Sequence, residues 1–248
     1  MNTAPLPADR AHRLAALRAR IRALEGRGTG FATPPVRLGP GLDPLLGEDG
    51  LARCALHELA GPAATLFGLA IARAALDRPG LFVWCLDEAG VRARGIPWPP
   101  GLAARGLDPG RLLLVRAPDA QATARAMEEA LASPAAAVVL GELARIGFDL
   151  SRRLQLAVER GGGIGLLLRP AADPTPSAAA TRWWAEPVPA REGPPRLRLE
   201  LRRSKSGAEG QVEVRVDERT LALRPAAALA DPEAAAPPPT DRRTLARG

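Results

Sequence analysis

The order of apolar and polar positions predicts an α/β domain. From Val36 to Leu168, short apolar runs alternate with helix-like segments, which is the pattern of βαβ units on a mostly parallel sheet flanked by helices. Runs such as AAAVVL and IGLLL are continuously apolar, as strands buried on both faces require. The pattern predicts strands at 54–59, 81–86, 111–115, 135–140 and 164–168, and helices at 63–76, 120–132 and 149–160.

The pattern changes after Arg169. A proline-rich segment that contains the pair Trp183-Trp184 is interpreted as a crossing between the two parts of the domain. The leucines of RLRLELR and the valines of QVEVRV then alternate with charged residues on either side of the turn SKSGAEG, which predicts a C-terminal antiparallel hairpin with one buried face. Residues 223–248 are rich in alanine and proline, and we expect them to form a disordered tail.

A separate amphipathic helix is predicted near the N-terminus, between Asp9 and Glu25. Its apolar stripe consists of Leu14, Leu17, Ile21 and Leu24. A glycine- and proline-rich linker follows, so the chain divides into a helix and linker (1–35), an α/β domain with its hairpin (36–222) and the tail. The stripe either packs on its own domain or docks on a partner chain, and we interpret it as partner-binding.

Composition narrows the function classes only slightly. The net charge of +7 favours an acidic partner, but Lys205 is the only lysine, and an excess of arginine, alanine and proline is also typical of GC-rich coding. No apolar run reaches the roughly 18–20 residues that span a bilayer and no secretory signal is evident, so we expect a cytoplasmic protein without membrane contacts. Two cysteines and two histidines predict buried free thiols and no metal site.

The stretch LHELAGPAATLFGLA has the strand–loop–helix setting of a phosphate-binding loop. Such a loop reads G-x-x-x-x-G-K-[ST], and its lysine and hydroxyl hold the nucleotide phosphates and Mg²⁺. Counted from Gly61, the last three positions are Leu66, Phe67 and Gly68. Without the lysine and the hydroxyl, the site cannot stabilise the charge that develops in phosphoryl transfer, which is most of the catalysis, so we expect no enzyme activity and no cofactor. We expect Leu66 and Phe67 to be buried against the sheet. We interpret the segment as a degenerate phosphate loop formed by Gly61, Pro62, Ala63, Ala64 and Thr65.

The remaining chemical candidates have ordinary structural explanations. Asp87, Glu88 and Glu142 follow predicted strands, where carboxylates can serve as a general base or Mg²⁺ ligands. With no loop to position a nucleotide, we interpret them as solvated acids or ion-pair partners. His57 lies inside the first predicted strand with no nucleophile in an activating context, so we expect a buried, hydrogen-bonded imidazole.

Basic residues near the hairpin turn and in LSRRLQLAVER are candidates for sequence-independent phosphate contacts. A solvated surface is the alternative for each of them. The adjacent tryptophans could stack on bases, and we expect at most one of them to be exposed. The candidate DNA-binding residues are Arg152, Arg153, Arg202, Arg203 and Lys205.

The collinear order of segments from Val36 to Val216 resembles the ImuA family, RecA-like proteins of bacterial damage-inducible mutagenesis operons. The segments that carry the resemblance are LGPGLDPLLGEDGL, LHELAGP, GLAARGLDPGRLLLV, LSRRLQLA, LLLR and ATRWW. In RecA itself the loop that matches Gly61 to Gly68 is intact, with lysine and threonine where this chain has Phe67 and Gly68.

The resemblance implies a RecA-like core and a role in translesion synthesis during the SOS response. The ImuA family is encoded with an inactive Y-family polymerase homologue, ImuB, and an error-prone replicative-type polymerase. We therefore expect a non-catalytic adaptor that binds an ImuB-type partner and, through the complex, the polymerase, with RecA and weakly bound single-stranded DNA as further candidate partners. Two alternatives stay open: a RecA-type ATPase with a non-standard phosphate loop, and a SulA-like cell-division inhibitor.

Overall fold

The computed structural model describes residues 33–46, 50–169, 175–189 and 193–226. The predicted N-terminal helix, with Leu14, Leu17, Ile21 and Leu24, lies outside these residues, and so do residues 227–248.

Nine strands of the described residues form one sheet in the order β3-β2-β4-β5-β1-β6-β7-β8-β9. All pairings from β3 to β6 are parallel, and those from β6 to β9 are antiparallel. The predicted class, a mostly parallel α/β sheet with a C-terminal antiparallel hairpin, is confirmed. The strands are β1 (Ala55–Ala60), β2 (Leu81–Asp87), β3 (Leu112–Ala117), β4 (Ala136–Glu142), β5 (Ile164–Arg169), β6 (Thr181–Val188), β7 (Arg196–Ser204), β8 (Gly210–Val216) and β9 (Leu223–Pro225).

Helices lie on both faces of the parallel part of the sheet. One buried cluster contains Leu59 of β1 together with the inner side of α1, and a second contains Leu56 of β1 together with the inner sides of α4 and α5. Because successive strand residues point to opposite faces, β1 contributes to both clusters. The helices are α1 (Ala64–Ala75), α2 (Glu88–Arg94), α3 (Pro99–Ala103), α4 (Ala120–Ala132) and α5 (Phe148–Gly161), with 3₁₀ turns at Asp43–Leu46 and Pro109–Arg111.

Local sequence signals mark the ends of the longer helices. Asp119 caps α4 by accepting a hydrogen bond from the backbone N–H of Ala122 at 2.7 Å. Gly162 follows α5 with φ +78°, a left-handed conformation that glycine adopts without steric cost. The bounds predicted for the helix at 120–132 agree with those observed for α4. The helix predicted at 149–160 is one residue shorter at each end than α5.

Part of the predicted proline-rich crossing, Thr181–Val188, is strand β6, so this prediction was wrong. Its first four residues pair in parallel with β1, and its whole length pairs antiparallel with β7, so β6 joins the two halves of the sheet. Pro187 argues against a strand in the sequence, because proline cannot donate a hydrogen bond to a neighbouring strand. The pairing with β1 ends at Trp184, so the sheet needs no N–H from Pro187 on that side.

The hairpin β7–β8 has the predicted single apolar face. Leu199 and Val214 are fully buried in the cluster that also contains α1, whereas the opposite face carries charged side chains. Buried side chains of the segment before β1, among them Val36 and Leu42, belong to the same cluster. Residues Leu223–Pro225 pair with β8 as the last strand, so the predicted start of the tail at residue 223 was wrong.

Candidate functional site

The segment predicted as a degenerate phosphate loop, residues 61–65, connects β1 to α1 and packs against β6. Gly61 has φ +98°, and a Cβ on it would overlap the carbonyl oxygen of Ala185. The backbone N–H of Ala63 donates to that same oxygen at 3.0 Å, and the N–H of Ala64 donates to Gly61 O at 3.1 Å. Amides at such a helix start bind phosphate when they are free. In this loop two of them are already bonded within the protein.

Of the three positions after the loop, Phe67 and Gly68 are buried in the core, whereas Leu66 was expected to be buried and is only half-buried. Phe67, which stands at the lysine position, is fully buried and meets Trp183 edge to face with ring centroids 5.5 Å apart. Leu66 is half-buried and packs against the same cluster. A Cβ on Gly68 would lie 3.2 Å from the side chain of Leu59, which leaves little room for threonine. A side chain at position 67 therefore points into the sheet.

An apolar groove of about 400 Å³ lies beside the loop. Pro62 and Leu66 line it from the loop side, and Pro187 and Pro194 line it from the β6–β7 side. Proline nitrogens carry no hydrogen, so these residues offer no backbone donors to a phosphate. Arg196 and Glu218 also line the groove and give it one charge of each sign. The chemistry of the groove differs from that of a nucleotide cradle.

The strand-end acids take part in caps and ion pairs. Asp87 accepts a hydrogen bond from the N–H of Gly90 and caps α2. Glu88 pairs with Arg116 at 2.7 Å. Glu142 pairs with Arg94 at the start of the β4–α5 connection, and its burial raises the pKa of its carboxyl although Arg94 lowers it. These contacts agree with the interpretation of the acids as structural ion-pair partners.

His57 is buried and hydrogen-bonded at both ring nitrogens. Nδ1 lies 2.8 Å from Thr181 Oγ1, and Nε2 lies 2.8 Å from the carbonyl oxygen of Ala52. Desolvation lowers the pKa of His57 to about 4, so the ring is neutral at pH 7, with Nε2–H donating to Ala52 O and Nδ1 accepting from Thr181. The imidazole joins β1 to β6, as expected of a satisfied core histidine.

Both cysteines are free thiols, but they differ in exposure. Cys85 is buried on β2, and burial raises the pKa of its thiol to about 12. Cys54 is only half-buried, so the expectation of two buried thiols was wrong for this residue. It precedes β1 with φ +53° and donates its N–H to Gly163 O at 2.7 Å. The described residues contain no cluster of three or more His, Cys, Asp or Glu side chains that could hold a metal ion.

The hairpin arginines have partners within the protein. Arg202 pairs with Glu200 at 2.9 Å, and its guanidinium carbon lies 4.5 Å from the ring centroid of Trp184. Arg203 donates to Ser177 O at 3.2 Å. The side chain of Lys205 is exposed, and its backbone N–H donates to Ala180 O. Two of the three predicted phosphate ligands thus also hold the hairpin in place.

The loop at 175–180 brings the two groups of predicted basic residues to one region. It meets the hairpin end through Arg203, and the N–H of Ala178 donates to Ser151 Oγ of α5 at 3.0 Å. Arg152, the next residue of α5, is exposed. Arg153 is occupied by an ion pair with Glu128 of α4. Arg152 and the hairpin end therefore flank the same loop.

Only one of the two adjacent tryptophans is accessible to solvent, as predicted. Trp183 is fully buried beneath α1, and its Nε1–H donates to Thr181 Oγ1 at 2.9 Å. Trp184 is half-buried on the opposite face, beneath Arg202.

A buried ion-pair cluster on β1 was not foreseen. Glu58 is almost fully buried, and its Oε2 accepts from Arg182 Nε at 2.7 Å and lies 3.5 Å from Arg169 Nη1. The cluster spans the three adjacent strands β5, β1 and β6. The sequence signal is a charged residue inside the apolar run LHELA, where burial demands a partner of opposite charge.

Comparison with known proteins places the chain in a family. Over 210 residues it is 32% identical to Protein ImuA of Caulobacter vibrioides strain NA1000, with 74% of this chain and 84% of the relative covered. The chain belongs to the ImuA family. Protein ImuA of the Caulobacter vibrioides strain ATCC 19089 matches to the same extent, whereas no family model matches. Family membership confirms the resemblance inferred from the collinear segments. Among the described helices of this ImuA-family chain, none has the combined length and hydrophobicity required to cross a bilayer.

Proposed function

We propose that this ImuA-family protein is a non-catalytic, RecA-like adaptor in SOS-induced, error-prone translesion DNA synthesis. In this role it binds an ImuB-type inactive Y-family polymerase homologue and, through that partner, the error-prone replicative-type polymerase. The protein works through protein contacts and weak, sequence-independent contacts to single-stranded DNA. RecA is a further candidate partner.

The observation that carries the proposal is the burial of Phe67. A phosphate loop acts through a lysine that reaches the β- and γ-phosphates, and here that position lies in the core against Trp183. The strand-end carboxylates Glu88 and Glu142 are engaged by arginines. Membership in the ImuA family supports the mutagenic context. A protein without this lysine contributes to the complex by binding its partners and does not catalyse phosphoryl transfer.

Nucleotide titration tests the non-catalytic part of the proposal. Isothermal titration with Mg-ATP and with a non-hydrolysable analogue should give no sub-micromolar binding, and no ATP hydrolysis should be measurable. Tight binding that disappears when Gly61 or Thr65 is replaced would favour the ATPase alternative.

Co-purification with the ImuB-type protein tests the adaptor part. We expect the full chain to form a stable complex, and replacing Leu17 and Ile21 with Asp should weaken it while the α/β domain stays folded. The double variant Ala19→Asp/Ala23→Asp changes the charge equally on the opposite side of the predicted helix and serves as the control. If the Leu17/Ile21 variant unfolds at a much lower temperature with unchanged association, the helix belongs to its own core.

A further inference from the structure

The most exposed aromatic side chain of the described residues lies between α2 and α3. Trp98 is 71% exposed, and Ile96 beside it is 47% exposed. Trp98 is the N-cap residue of α3, and its carbonyl oxygen accepts from the N–H of Leu102. An exposed tryptophan in a chain with few aromatic residues is informative, because indole rings in solution-facing positions are found preferentially at binding surfaces.

The backbone around Trp98 is held rigidly in place. Pro97, Pro99 and Pro100 surround the indole in the sequence, and proline fixes its own φ angle. The ring rests on Gly101, where an added Cβ would lie 2.9 Å from Trp98 Cε3. Because the segment is already ordered, binding through it costs little conformational entropy.

The chain segment that contains Trp98 carries a net positive charge. Residues 89–107 contain three arginines and no acidic residue. Arg105 is exposed, and its one side-chain hydrogen bond to the described residues goes to Gly101 O at 3.2 Å, directly beside the indole. Arg92 is exposed and has no hydrogen-bond or ion-pair partner among the described residues. The third arginine, Arg94, pairs with Glu142. Two guanidinium groups therefore lack a carboxylate partner within the part of the chain that the structure describes.

We infer that the surface formed by Ile96, Trp98, Arg92 and Arg105 docks a protein segment that carries an apolar anchor flanked by carboxylates. The inference rests on the proposed function, in which the chain acts through protein contacts. Tryptophan and arginine are the residues most enriched at the centres of protein interfaces. The two arginines select acidic groups on the partner, and the indole with Ile96 supplies the apolar area.

Nucleic acid fits this surface less well. The first two positions of α3 are Pro99 and Pro100, which offer no N–H to a phosphate. Ile96 is aliphatic and does not provide a flat stacking face.

Other parts of the chain do not complement the charge. Residues 1–32 contain six arginines and two acidic residues, and residues 227–248 contain three of each. A second copy would place the same arginines opposite one another in a two-fold contact. A separate acidic partner is the occupant that the charges favour.

The test measures the affinity of the purified full chain for the ImuB-type protein proposed above. Trp98→Ala and the double change Arg92→Glu/Arg105→Glu should each weaken binding at least tenfold. Leu156→Ala and Arg125→Glu alter an exposed leucine on α5 and an exposed arginine on α4, and they should change the affinity less than twofold. Binding should also protect Trp98 from acrylamide quenching in the wild type.

The outcomes separate this inference from the proposed function. Wild-type binding that Trp98→Ala leaves unchanged overturns the docking surface and leaves the adaptor role intact. Absence of wild-type binding overturns both. If Trp98→Ala instead lowers the affinity for a labelled single-stranded oligonucleotide, or abolishes self-association, with partner binding unchanged, the surface serves DNA or a second copy and the inference is wrong.

Discussion

Restoring the missing lysine should destabilise the protein without creating a nucleotide site. In Phe67→Lys, the substituted side chain has to enter the space between α1 and the sheet that the buried phenyl ring now fills against Trp183. Removing a fully buried phenylalanine costs about 3–5 kcal/mol. The aliphatic stem of lysine refills part of that volume, but burial of an unpaired ammonium costs several kcal/mol more or forces the chain to move. We expect the free energy of unfolding to fall by about 3–5 kcal/mol, a large share of the roughly 5–15 kcal/mol that stabilises a typical domain.

Urea denaturation followed by tryptophan fluorescence measures the loss, and Mg-ATP titration of the folded variant measures any gain in binding. Phe67→Leu keeps most of the apolar volume and should cost about 1–2 kcal/mol. Thr65→Lys places the same charge at an exposed position in the first turn of α1, where the change should stay within about 1 kcal/mol. The reasoning is refuted if Phe67→Lys keeps wild-type stability and binds Mg-ATP, since the side chain would then point out of the core.

Because burial lowers the pKa of His57 from 6.5 to about 4, the stability linked to this residue is complete above pH 6.5 and is lost as the pH falls towards 4. Relative to His57→Gln, the wild type should lose about 3 kcal/mol over that range in urea titrations at successive pH values, and equal pH dependence would contradict the buried neutral ring. Glu58→Gln removes the carboxylate that faces two arginines and should cost about 3–5 kcal/mol of stability in the same assay; a loss below about 1 kcal/mol would mean that the ion pair is not buried. Replacing Arg202, Arg203 and Lys205 with alanine should lower the slope of log affinity against log salt by about 0.7 for each lost phosphate contact in anisotropy with a labelled single strand. Equal slopes would show that the hairpin does not touch DNA.

Local pattern in the sequence was enough to predict most of the α/β framework. The predicted bounds of strands β1 to β5 and of helices α1, α4 and α5 agree with the structure within two residues, because continuous apolar runs and helical periodicity are properties of neighbouring residues. The hairpin face was equally readable from strict alternation. The sequence also shows that Leu66, Phe67 and Gly68 stand at the positions where a phosphate loop carries glycine, lysine and a hydroxyl residue.

Tertiary structure alone decided which segments pair and where the polar groups find partners. Strand β6 forms although it contains a proline, because β1 and β7 lie on its two sides and pair with it. The local sequence of β6 does not predict these pairings. Glu58 meets Arg182 across 124 positions of the chain, and His57 meets Thr181 across the same separation. The exposure of Trp98 likewise depends on how α3 packs. Such contacts join residues that are distant in sequence, so no pattern within one segment predicts them. Because the groups are buried, leaving any of them without its partner would cost stability.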